Sequence, residues 1–197
     1  MREFPPRLSH QPIFYPVVNI GYARQVARDW NVGDANSAFA GFVTAFDVEN
    51  SYLSSFEPHT VGSSEHLEYW IPAEGLSAFN AAIRGHIRLE EGFFGANFTG
   101  HIPDNCMLNG RDATAQFVTL YETWDHSRFD VACEISANRK SVFLNWLFWS
   151  HHDFSKFGIG PEQREAMMGH LKECWAFNHI DIPLPDTIIE PQTNLNS

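Results

Sequence analysis

Cysteine is scarce. Cys106, Cys133 and Cys174 are odd in number and far apart along the 197 residues, so a disulfide framework is not expected. Reduced thiols in a cytoplasmic protein are. No CxxC pair occurs, which argues against a thiolate zinc site. Basic residues are also few, with 13 Lys and Arg against 24 Asp and Glu and a net charge of −11. A field of that sign repels nucleic acid and anionic membranes, so neither is an expected partner. Unbroken apolar runs of membrane-spanning length are missing, as is the charged-then-apolar layout of a signal peptide. The sequence also contains no G-x-S-x-G elbow, phosphate loop, G-x-G-x-x-G or H-E-x-x-H motif.

What the chain has is ring. Seventeen Phe, six Trp and five Tyr within a 44% hydrophobic composition suit bulky packing or a ring-lined pocket. Residues 59–80, HTVGSSEHLEYWIPAEGLSAFN, form the most informative stretch. Gly62-Ser63-Ser64 reads as a turn and residues 66–71 as a strand. Alternation puts Leu67, Tyr69 and Ile71 on one face, and His66, Glu68 and Trp70 on the other. Pro72 ends the strand, and Leu76, Phe79 and Ile83 recur at helical spacing. A carboxylate, an imidazole and an indole thus share one strand face beside a turn. Strand ends next to loops attract functional groups, although a solvated edge gives the same pattern.

Taken in order, residues 1–18 contain Pro5, Pro6, Pro12 and Pro16 and read as extended. Asn19 caps a helix with Ile20, Ala23, Ala27 and Trp30 on one side. Strands are expected over 42–48 and 86–94, with a turn-rich connector over 95–110. Beyond it, Phe117 to Tyr121 and Phe129 to Ile135 alternate as two strands around a turn at Trp124-Asp125-His126-Ser127. The apolar run 142–149 reads as a buried helix. A final amphipathic helix starts at Pro161 and carries Met167, Met168, Leu171, Cys174 and Trp175. The expected organisation is therefore 1–95, a second α+β region over 96–181, and a flexible tail over 182–197.

His151 and Asp153, with His170 or His179 as a third ligand, match a two-histidine, one-carboxylate iron site. On a helix, however, the pair diverges by about 200°. A polar helix end is therefore the expectation, and no metal is assigned.

Residues 4–94 resemble a family of small bacterial proteins labelled "ADP-ribosylation/crystallin". The resemblance lies in FPPRL (4–8), QPIFYPV (11–17), YARQVARDWN (22–31), GFVTAFDV (41–48) and TVGSSEHLEYWIPAEGLSAFN (60–80). It implies an α+β fold with an ADP-ribosyltransferase-like split β-sheet core, here followed by a strand–helix extension. NAD would lie in a cleft between two small sheets, as the substrate donating ADP-ribose to an unknown acceptor. It further implies Glu68 as the catalytic carboxylate and His66 as its orienting neighbour. Arg7, Tyr15, Tyr22 and Trp70 would hold NAD. A strand of the type YRPVG, which precedes FPPR in the family pattern, has no counterpart here. Arg2, Arg7 and His10 are the basic residues nearest its place. Two other functions fit the residues: a non-catalytic nucleotide- or protein-binding module derived from that fold, or a small-molecule enzyme built on the aromatic second half, with or without a metal at His151 and Asp153.

Overall fold

A computed structural model describes residues 2–185. The chain is mixed α and β and divides into two units, Met1–Ala96 and Asn97–Ser197.

The first unit is built on strands. Its longest ladder joins β2 (Ala40–Val48) to β6 (Ile83–Phe94), antiparallel, with register shifts between Val43 and Thr44 and between Ala45 and Asp47. Gly41 packs directly on the Ala27 backbone, where any Cβ would collide with the carbonyl. Short strands form the other layer. β1 (Ile13–Phe14) pairs with β5 (Ile71–Pro72), and β3 (His59–Thr60) pairs with β4 (Leu67–Glu68). The strand expected over 66–71 is interrupted between β4 and β5, although its register continues through a Val17–Glu68 bridge. The cause is Pro16. Tyr69 N–H donates to the Pro16 carbonyl at 2.9 Å, but proline returns no N–H and the ladder lapses.

Helix α1 (Ile20–Gln25) is capped by Asn19, whose side chain accepts from Tyr22 N–H. It continues as a π-helical turn over Val26–Trp30. This widened turn shifts the phase of the residues it contains, Trp30 among them. Tyr22 and Ala27 are buried, whereas Ile20 and Trp30, expected inside, are exposed. A short α2 (Asn50–Leu53) precedes β3. Helix α3 (Leu76–Ala81) places Leu76 and Phe79 against Ile71, and Phe4, Phe14, Phe46 and Tyr69 pack around that centre.

The second unit is helical, which corrects the two strands expected there. Residues 117–121 lie in α4 (Ala113–His126) and 129–135 in α5 (Arg128–Ala137). Asp112 caps α4 by accepting from Ala115 N–H at 2.7 Å. Its buried face is Ala113, Gln116, Phe117 and Leu120, a helical set that also contains fragments of alternation. Ser127 is the cap of α5, not a hairpin turn. In α5, Phe129 is 76% exposed and Cys133 is exposed, while Val131, Glu134 and Ile135 are buried. Helices α6 (Arg139–His151) and α7 (Pro161–Asn178) complete the unit. The connector is held at Asn145, which accepts from His101 N–H and donates to His101 O and Gln116 Oε1. Residues 182–185, expected to be part of the tail, are fixed by indoles. Trp175 Nε1–H donates to Ile182 O at 2.6 Å, and Trp146 Nε1–H to Pro185 O at 3.1 Å. The remainder of that expected tail, 186–197, lies outside the described residues.

Candidate functional site

Strand 67–69 is flanked by two antiparallel partners, residues 16–18 and β3. Its faces differ as alternation requires. Tyr69 joins Phe14 and Ile71 in the apolar core. Glu68 points the other way, yet is only 8% exposed. Its Oε1 accepts from Trp70 Nε1–H at 2.8 Å and its Oε2 from the Tyr22 hydroxyl at 3.3 Å. Both donors are neutral, and no cation among the described residues pairs with this carboxylate.

Each donor is backed by an imidazole. His66 stacks on Tyr22 with ring centres 4.3 Å apart, and His59 stacks on Trp70 at the same spacing. His66 Nε2 is 2.8 Å from Gln25 Oε1, and Nδ1 is 3.2 Å from Val61 O. Burial, then the nearby Glu68 charge and its hydrogen bond, raise the Tyr22 phenol above the ordinary tyrosine range. The phenol therefore keeps its proton and remains a donor. On the solvent side, Tyr15 meets Trp70 edge to face at 6.2 Å. Both are half open to water, at 47% and 42% exposure. The result is a buried carboxylate beneath an accessible aromatic shelf.

Five residues named from the sequence, Glu68, His66, Tyr15, Tyr22 and Trp70, come together here. Arg7 does not. Its guanidinium lies 5.8 Å from the centre of the Phe14 ring, on the core side of the strand. Arg7 Nε is buried without a hydrogen-bond partner. His59 and Gln25 belong to the cluster but carry no individual signal in the sequence. His59 follows once the turn at 62–64 is read as a hairpin placing it opposite Glu68. Gln25 meets His66 across 41 residues of chain, which no local pattern encodes.

A cleft of about 310 Å³ does lie between the two strand layers, but Glu68 does not line it. Its walls come from residues 16–20, from β2 and from Tyr69, whose side chain lies on the face opposite Glu68.

The iron arrangement does not assemble. Asp153 instead accepts from Ser155 N–H and Oγ–H at 2.9 and 3.0 Å. No group of three or more His, Cys, Asp or Glu among the described residues could hold a metal ion. No described helix is long and apolar enough to cross a membrane. Compared with known proteins, the chain matches no family model, no curated protein and no solved structure.

Proposed function

We propose that the first unit is an NAD-dependent ADP-ribosyltransferase-like enzyme, with Glu68 as its catalytic carboxylate. The observation that carries this reading is the Glu68 environment: a buried carboxylate, with no cation partner among the described residues, beside two half-exposed aromatic rings. In the reaction, the bond between nicotinamide nitrogen and ribose C1′ breaks and nicotinamide leaves with the electron pair. The cationic character left on the ribose is stabilised by a fixed anion nearby. The acceptor then bonds to C1′ and releases its proton. Tyr15 and Trp70 supply flat faces for a ring. Trp70 and Tyr22 fix the carboxylate so that it need not reorganise during the reaction.

Nicotinamide release from NAD, followed over time, tests this. Glu68→Gln keeps the shape and can still accept from Trp70. It is expected to lower release by about 10²-fold or more, with an almost unchanged melting temperature. Equal release by the variant would remove Glu68 from the chemistry.

A second reading retains binding without turnover. It is favoured by the occupancy of both Glu68 oxygens, each already accepting a hydrogen bond. NAD binding with no release by the wild-type protein, and equal binding by Glu68→Gln, would select it.

A further inference from the structure

The cleft between the strand layers has a shape that the Glu68 face does not explain. Residues 16–18 and 43–46 both line it without a gap, and Asn19, Ile20 and Ala23 at the start of α1 close one end. Successive strand residues point to opposite faces, so a hollow touching each of them in turn runs along strand edges. Both edges are open. β2 belongs to a two-stranded sheet, and β6 occupies its only paired side among the described residues. Across the hollow, Val18 N–H donates to Leu67 O and Tyr69 N–H donates to Pro16 O. These bonds bracket the Val17–Glu68 bridge, so the Val17 N–H and C=O turn away from the 67–69 strand. Among the described residues they make no backbone hydrogen bond. Exposed strand edges are templates for another strand.

The lining chemistry narrows the occupant. Val43, Phe46, Pro16 and Phe79 make it largely apolar. No lining residue carries a charge, in a protein whose net charge is −11. The geometry points to a strand-accepting slot. An extended, uncharged peptide segment with apolar side chains enters it, hydrogen-bonds to the outer edge of β2 and to Val17, and joins the two layers by β-augmentation. This inference does not depend on NAD chemistry, because Glu68 lies on the opposite face.

The test uses the full chain and a fluorescein-labelled hexapeptide, Thr-Val-Thr-Val-Thr-Val with a C-terminal amide. Polarisation is expected to report saturable binding. Methylating alternate backbone nitrogens removes the donors without changing the side chains, and should weaken binding about tenfold or more. Ala23→Trp, which fills one end of the slot, should weaken it comparably while preserving the far-UV spectrum. In case that variant fails to fold, hydrogen exchange on the wild type provides an independent readout: amides at Val17 and within 43–46 should slow when peptide is added. Three results would overturn the inference. One is no binding, and another is equal binding by the methylated peptide. The third is protection of 43–46 that grows with protein concentration alone, which would identify a second copy as the occupant.

Discussion

Glu68 shows how much depends on the neighbours of one side chain. A carboxylate withdrawn from water must have its oxygens satisfied, and here a phenol and an indole do that without neutralising it. Tyr22→Phe removes one donor while conserving the ring that stacks on His66. It is expected to cost about 1–3 kcal/mol, read as a lower urea midpoint with an unchanged slope. An unchanged midpoint would show that water replaces the hydroxyl. The pairing of Glu68 and His66 on one face, with Trp70, is legible in HLEYWI because alternation is a local property. Burial of that face is not, since it depends on α1 packing Tyr22 over the strand from 46 residues away.

At the scale of elements, local signals misled where two periods overlap. Phe117, Thr119 and Tyr121 alternate, but Ala113, Gln116, Phe117 and Leu120 form a helical stripe, and the cap decides between them. Asp112 gives the first turn of α4 an acceptor for Ala115 N–H. Asp112→Ala should therefore cost about 1 kcal/mol and Asp112→Asn much less, measured by thermal unfolding. Equal losses would indicate charge, not capping, as the source. By contrast, α7 was readable from both ends of its pattern. Pro161 occupies the first turn, where its missing N–H is harmless, and Met167, Leu171, Cys174 and Trp175 repeat at helical spacing. β4 and β5 failed as one strand for a reason outside their own sequence, the proline on the facing chain.

For the molecule as a whole, pH is the most direct probe of the helical unit. Burial lowers the affinity of His101, His151 and His152 for a proton. His152 sits between Phe148 and Phe154, with ring centres 4.5 and 4.9 Å away. Their folded-state values lie below the unfolded value, so the unfolded chain binds more protons on acidification. Stability is then complete above about pH 6.5 and declines as pH falls from there through the folded-state values. The melting temperature should fall by several degrees between pH 7.5 and 5.5, and His152→Gln should flatten that fall. A flat profile in the wild type would mean that these imidazoles are hydrated when folded.

The sequence by itself determined the α+β class, the connector after the first unit, the alternation around Glu68, the cap at Asn19 and the last two helices. Each of these rests on propensities and spacings within a few residues. Tertiary structure alone decided that Glu68 is buried, that Arg7 lies across the strand from it, and that the cleft opens along strand edges on the face Glu68 does not share. Those outcomes depend on which distant segments pack together and in what register, and burial is a property of that packing, not of any local stretch of chain.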